Sequence, residues 1–135
     1  MRYPVVIHKE QGSDYGVSVP DLPGCFSAGR TMQEALESAR EAVAVHIEGM
    51  LLDADRVPPP TSIDAHQGNA DYAGGVWALV PVDFGKLSGR AKRINVTFPE
   101  RALKELDVCA KSIGETRSGF LLRAALDFIA RHHAA

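Results

Sequence analysis

The sequence predicts an α+β protein with two modules, a small β-β-β-α-β domain followed by a strand and two helices. Several short runs are β-rich or alternate polar with apolar residues, as strands do, and one long run repeats apolar residues at helical spacing. The sign of the charge also changes, because residues 1–88 contain 6 Lys/Arg and 12 Asp/Glu, whereas residues 89–135 contain 9 and 5. We therefore expect an acidic domain over 1–83, a linker over 84–90 and a basic domain over 91–135.

The elements of the first domain follow from its turn residues and hydrophobic periodicity. Three strands precede the helix and one follows it: Tyr3–His8, Tyr15–Val19, a short strand after the Pro20–Phe26 turn, and Val76–Val80. The helix begins at the capping box Thr31–Glu34 and extends for roughly 20 residues. One face of this helix is apolar and is expected to cover the sheet; its residues are Met32, Ala35, Leu36, Ala39, Val43, Ile47, Met50 and Leu51. Residues 61–75 are polar and rich in glycine, which predicts a loop or mobile segment.

The second domain begins with a strict polar/apolar alternation over Arg93–Phe98, which ends at a proline. Two amphipathic helices follow. The first is predicted over Glu100–Ser112, with Gly114 as its C-terminal stop, and Thr116 is the expected N-cap of the second.

A single strand with two helices buries too little surface to be stable, and its backbone groups would lack partners. Dimerisation solves both problems if two copies of Arg93–Phe98 pair antiparallel and the helices share one core. Every second residue, Ile94, Val96 and Phe98, then faces that core. The outer face presents Arg93, Asn95 and Thr97 on a two-stranded ribbon that is narrow enough to enter the DNA major groove.

These residue types suit the recognition of DNA. Arg93 can bind guanine, Asn95 can pair with adenine, and Thr97 can contact a base edge or a thymine methyl group. Phosphate contacts are expected from Lys92 and from the start of the second helix, at Thr116, Arg117 and Ser118. The same pattern also fits an oligomeric protein-interaction module that dimerises through this strand and does not bind DNA.

Two groups of motifs resemble known families. Arg93–Glu100 and Gly114–Phe120 resemble the ribbon-helix-helix repressors, although Thr116 stands where serine is commoner and Gly119 weakens the first helical turn. The N-terminal segments resemble HicB-type antitoxins; these are Pro20–Cys25, Thr31–Ala35, Tyr72–Trp77 and Val80–Asp83. The resemblance implies a partial RNase H-like domain that binds a small HicA-type toxin ribonuclease, and a C-terminal domain that represses the operon encoding both proteins by binding operator DNA. It also implies a homodimer through the C-terminal domain, with assembly to a tetramer left open.

Catalysis, a metal site and a cofactor are not expected. The predicted strands contain no Asp or Glu that could hold the metal pair of a nuclease, and Asp21 is assigned to capping its own turn. Cys25 and Cys109 lack metal-ligand spacing and are expected to be reduced, packed thiols. No apolar run reaches the roughly 18 residues needed to span a bilayer, and the first residues lack the apolar core of a signal peptide. We therefore expect a cytoplasmic protein without a membrane partner.

Overall fold

A computed structural model of the chain describes residues 1–53, 55–83 and 92–134. Its contacts divide the chain into two compact units, Arg2–Val82 and, together with Met1, Asp83–Ala135. The predicted α+β class is confirmed: a four-stranded antiparallel sheet precedes the two long C-terminal helices. The predicted linker over 84–90 lies outside the described residues. No helix within the described ranges is long and apolar enough to cross a membrane.

The first unit contains a sheet with the strand order β3-β2-β1-β4. The strands are β1 (Arg2–Lys9), β2 (Tyr15–Ser18), β3 (Phe26–Gly29) and β4 (Val76–Pro81). The predicted hairpin is confirmed, because β1 pairs with β2 and places Val6 opposite Ser18. On its other side β1 pairs with β4, with Val6 opposite Trp77. Central strand β1 is buried from Tyr3 to Ile7.

Helix α1 (Met32–Leu52) covers one face of the sheet. Its buried residues repeat at four-residue intervals and are Ala35, Ala39, Val43 and Ile47. The predicted apolar stripe is therefore correct in its centre but too long, because Met32 and Leu51 at its ends are 37% and 47% exposed. The start of the helix packs directly on β3: a Cβ added at Gly29 would lie 2.8 Å from the Cα atom of Ala35.

The predicted capping box of α1 is confirmed in one of its two bonds. The Thr31 hydroxyl accepts a hydrogen bond from the amide of Glu34 at 3.1 Å. In the usual motif the Glu side chain returns to the amide of the N-cap residue. Here the Glu34 carboxylate instead accepts from the amide of Arg30, one residue earlier, at 3.1 Å.

The segment over 61–75 is more regular than predicted. It contains the short helix α2 (Asp64–Gln67) and a 3₁₀ turn over Ala70–Tyr72, in which the Asn69 side chain accepts a hydrogen bond from the Asp71 amide. Aromatic contacts with β4 hold this segment in place: the His66 ring stacks on Trp77 at 6.1 Å, and Tyr72 meets Trp77 edge to face at 5.7 Å. The polar and glycine-rich composition did not reveal these contacts.

The second unit contains helices α3 (Glu100–Ser112) and α4 (Arg117–Ala134). Helix α3 has the predicted bounds. The predicted stop, Gly114, follows the helix with a φ of 71°, and the Glu115 amide donates to the Ala110 carbonyl at 2.8 Å. This pattern is the Schellman motif, in which a left-handed residue closes the helix and reverses the chain. Thr116 caps α4 as predicted, because its hydroxyl accepts a hydrogen bond from the Gly119 amide at 3.0 Å.

Candidate functional site

The predicted base-contacting residues lie together in an accessible segment outside regular secondary structure. Residues 92–99 belong to no helix or strand of the single chain, and Lys92, Arg93, Asn95 and Thr97 are all exposed. The apolar residues between them are exposed as well, Ile94 by 71% and Val96 by 62%, while Phe98 is half-buried. The pairing of two such segments into a ribbon stays a prediction.

The predicted phosphate-contacting residues lie at the start of α4. Thr116, Arg117 and Ser118 are exposed there. Arg117 is held by the Asp107 carboxylate of α3: its Nε donates to Oδ1 at 2.9 Å and its Nη2 to Oδ2 at 2.7 Å. The hydrogen bonds from Arg117 lower the pKa of Asp107, and the pKa of Arg117 is raised by the same bonds. Sequence reasoning did not predict this ion pair.

The helices of this unit leave large apolar side chains in contact with solvent. Phe128 is 66% exposed and Ile129 is 41% exposed, both on α4. On α3, Leu103 and Leu106 of the predicted apolar face are half-buried, and Val108, which lies outside that face, is 65% exposed. The predicted apolar faces therefore exist, but a single copy covers them only in part.

Asp21 connects residues that are far apart in sequence. Its carboxylate accepts hydrogen bonds from the Thr61 amide at 2.9 Å and from the Thr61 hydroxyl at 2.7 Å, and His66 Nε2 lies 3.1 Å from it. The prediction that Asp21 caps its own turn is therefore wrong, since Thr61 and His66 lie 40 and 45 residues further along the chain.

The Asp21 cluster has the residue types of a hydrolytic triad but a different geometry. In such a triad the carboxylate orients one ring nitrogen while the other nitrogen activates the hydroxyl. Here the Thr61 hydroxyl lies 2.6 Å from His66 Nε2, the same nitrogen that faces Asp21. The cluster therefore anchors the segment after α1 to the Pro20–Phe26 turn. Within the ranges that the structure describes, no three His, Cys, Asp or Glu side chains converge as a metal site would require.

The two cysteines differ in burial. Both are free thiols. Cys25 is 3% exposed, as expected for a packed residue, and burial raises the pKa of its thiol. Cys109 is exposed, so the prediction that it is packed is wrong for the single chain.

The exposed side of α1 is acidic and borders an apolar groove. The groove has a volume of about 420 Å³ and lies between the start of β3 and the middle of α1. Its prominent side chains are Phe26 and Val45, which are 69% and 67% exposed, and Glu41 lies beside them. Glu34 and Glu37 are exposed on the same helix. This surface combines negative charge with accessible apolar groups, which suits a basic protein partner with apolar anchor residues.

Comparison with known proteins connects this architecture to a family. The family model described as a HicB-like antitoxin of bacterial toxin-antitoxin systems matches residues 3–125. The chain belongs to the HicB-like antitoxin family. The similarity extends over both units, as the resemblance of the motifs predicted.

Individual relatives and solved structures are similar to this chain over much of its length. The crystal structure of the Burkholderia pseudomallei antitoxin HicB is 42% identical, covers 93% of this chain and 96% of its own, and superposes with a TM-score of 0.74. A 14.9 kDa protein from the rep-hol intergenic region of Haemophilus phage HP1 is 40% identical over 127 residues, which are 93% of this chain and 95% of the phage protein. A chain of a HicA3 and HicB3 toxin-antitoxin complex is 32% identical, with a TM-score of 0.53, over 62% of this chain and 99% of its own.

Proposed function

We propose that this HicB-like protein has two binding functions. Residues 1–83, as a partial RNase H-like domain, bind and neutralise a HicA-type toxin ribonuclease. Residues 91–135 form a ribbon-helix-helix dimer that binds operator DNA and represses the operon of both proteins. The observation that supports the DNA-binding part best is the segment over 92–99, in which exposed apolar and exposed polar side chains alternate.

Dimerisation is supported by the absence, within the described chain, of a partner strand for the segment over 92–99. Exposed apolar residues are common on protein surfaces and need no explanation when they are isolated. Ile94 and Val96 are different, because they are 71% and 62% exposed and lie two residues apart in a segment that forms no strand within the described chain. Antiparallel pairing with a second copy would satisfy the backbone and bury both side chains against the helices.

The DNA-binding role follows from the other side of the same ribbon. Once Ile94 and Val96 face the core, period-two alternation turns Arg93, Asn95 and Thr97 outward. Lys92 and the start of α4 then flank the ribbon with cationic and hydrogen-bonding groups suited to phosphate. The net charge of residues 89–135 is positive, with 9 Lys/Arg against 5 Asp/Glu, which favours association with a polyanion.

Toxin binding is supported by the family and by the acidic surface of the first unit. One HicB relative was solved in a toxin-antitoxin complex with HicA3. The groove beside Phe26 and Val45 and the acidic side of α1 are the surface we assign to the toxin. Complementary charge would increase the rate of encounter with a basic, RNA-binding toxin more than the final affinity.

The dimer is tested by two matched valine substitutions. Val96 and Val108 are 62% and 65% exposed in the single chain, but only Val96 lies in the predicted ribbon core. We expect Val96→Asp to shift sedimentation of the full-length protein from dimer or larger to monomer, whereas Val108→Asp should leave assembly unchanged. Equal behaviour of the two variants would contradict the ribbon model.

DNA reading is tested with a fragment from upstream of the gene and a random duplex of equal length, across a salt series. The triple variant Arg93→Ala, Asn95→Ala, Thr97→Ala should lose the preference for the upstream fragment and still dimerise. Asn95→Ala alone should cost about 1–3 kcal/mol on that fragment only. Lys92→Ala should weaken both duplexes alike and flatten the salt dependence.

The alternative function, a protein-interaction module without DNA binding, has a distinct result in the same experiment. It predicts an intact dimer that shows no preference for the upstream fragment at any salt concentration. Loss of the preference in the triple variant would instead establish the ribbon as the reading element.

The toxin-binding surface is tested separately with the small protein encoded beside the gene. Glu37→Gln with Glu41→Gln should slow association and reduce its salt dependence. Glu34 is changed in a separate variant, because its carboxylate also bonds the Arg30 amide at the start of α1. Unchanged association kinetics in the double variant would exclude this side of α1.

A further inference from the structure

The ion pair between Asp107 and Arg117 occupies one of the two edges by which an arginine can hold phosphate. Both donors of one edge of the guanidinium are engaged, Nε at 2.9 Å and Nη2 at 2.7 Å, and each meets a different oxygen of the carboxylate. Carboxylate and phosphate compete for this edge, because each presents two oxygens at a matching separation. The side chains are 56% and 41% exposed, so a DNA backbone has access to the pair.

The pair also removes a charge from the surface where DNA is expected. An arginine bound to a carboxylate forms a nearly neutral unit, and its attraction for a distant phosphate is weak in salt solution. A phosphate held within hydrogen-bond distance can still displace the carboxylate, since an exposed ion pair contributes little stability. Arg117 therefore has a phosphate-binding edge that becomes available only by exchange.

We propose that Asp107 is a specificity-determining residue, which holds the Arg117 guanidinium away from DNA until the ribbon is seated and a backbone phosphate replaces the carboxylate. This inference rests on the proposed DNA-binding function. On random DNA the ribbon is not seated and Arg117 stays with Asp107. On the operator the exchange takes place, and Arg117 adds its contact. Asp107 thus weakens binding to random DNA more than binding to the operator.

The expected size of the effect follows from counterion release. Each phosphate neutralised by a cation adds about 0.9 to the slope of log affinity against log salt concentration. Asp107→Asn should therefore steepen this slope on random DNA by up to about 0.9 and tighten binding there by up to roughly fivefold, the limit set by the small stability of an exposed ion pair. The operator already receives the contact in the wild type, so its affinity and slope should change much less. The ratio of operator to random affinity should fall.

The experiment measures binding of the full-length protein to the upstream fragment and to a random duplex across a salt series. Glu105→Gln is the matched control, because Glu105 is exposed on the same helix and its substitution removes the same charge. Arg117→Ala and the double variant Asp107→Asn/Arg117→Ala complete a mutant cycle. Sedimentation of each variant shows whether the dimer is intact.

The inference requires that Asp107→Asn tighten random-DNA binding and steepen its slope beyond Glu105→Gln, and that both effects disappear in the Arg117→Ala background. It is overturned if Asp107→Asn matches Glu105→Gln, if it weakens binding, or if its effect persists without Arg117. In those cases a wild-type preference for the upstream fragment leaves the proposed function intact. Failure of wild type and variants to bind either duplex would overturn the proposed function together with the inference.

Discussion

Two glycine-to-alanine substitutions in the first unit should have opposite effects on stability. Gly29 in β3 lies against the start of α1: an added Cβ would be 2.7 Å from the Glu34 carbonyl carbon and 2.8 Å from the Ala35 Cα atom. Both atoms are backbone, so the clash cannot be relieved by rotating a side chain. Gly49 lies within α1, and a Cβ added there would meet nothing within 4 Å.

The magnitudes follow from these surroundings. Forcing an extra carbon into a closely packed site costs about 1–3 kcal/mol, because strand and helix must separate. Alanine in an open helical position instead stabilises by about 0.5–1 kcal/mol, since it restricts the unfolded chain and favours the helix. The free energies of unfolding of Gly29→Ala and Gly49→Ala should therefore differ by about 1.5–4 kcal/mol.

Trp77 provides the assay because it is the chain's single tryptophan and belongs to the unit that contains both glycines. Urea unfolding of the full-length variants is followed by Trp77 fluorescence at one fixed protein concentration, since assembly links stability to concentration. With a urea dependence of about 1 kcal/mol per molar, the two midpoints should differ by about 1.5–4 M. Shifts of both variants in the same direction, or an unchanged midpoint for Gly29→Ala, would refute the packing of α1 against β3.

Three further substitutions test individual bonds of the first unit. Thr31→Ala should lower the free energy of unfolding by about 0.5–2 kcal/mol in urea titrations, and Thr31→Ser should not, because only the hydroxyl caps α1. Asp21→Ala should cost about 0.5–1.5 kcal/mol in the same titration, since it removes the hydrogen bonds from Thr61 and the contact with His66 Nε2. Burial, and then the charge of Asp21, raise the pKa of Tyr3, whose hydroxyl donates to the Pro58 carbonyl at 2.7 Å. The folded state disfavours ionisation of the Tyr3 hydroxyl. The contribution of Tyr3 to the free energy of unfolding is therefore complete below the ordinary tyrosine pKa of 10.0 and is lost as the pH rises above it. Tyr3→Phe should have a lower free energy of unfolding than the wild type at neutral pH and should lose less of it as the pH is raised. Equal losses in the two proteins at alkaline pH would exclude a stabilising role of the Tyr3 hydroxyl.

The helices were the part of the fold that sequence predicted best, because their limits are set by neighbouring residues. Thr31 and Glu34 mark the start of α1, and Gly114 marks the end of α3, where the chain requires a positive φ of 71°. The bonds that give residues 61–75 their structure were missed for the opposite reason. Thr61 and Asp21 are 40 residues apart, and no local pattern indicates that they meet.

The candidate DNA interface was predictable in composition but not in its internal contacts. Alternation identified Arg93, Asn95 and Thr97, since which side of a strand a residue faces depends only on its position. The partner of Arg117 was not identifiable in this way, because Asp107 lies ten residues earlier on a different helix and meets it only after the turn at Gly114 closes. A count of charged residues does not show that Arg117 is paired with Asp107.

Exposure by itself does not distinguish an interface from ordinary surface, and the two valines of the second unit show why. Val96 and Val108 are 62% and 65% exposed, so their exposure alone does not distinguish them. Val108 lies on a helix whose backbone groups are already bonded, and leaving it in water costs little. Val96 lies in the segment over 92–99, which forms no helix or strand in the described chain, so pairing with another strand would cover its side chain and satisfy its backbone amides together. That coupling is what favours a second copy of this segment as its partner, and it predicts that assembly depends on Val96 and not on Val108.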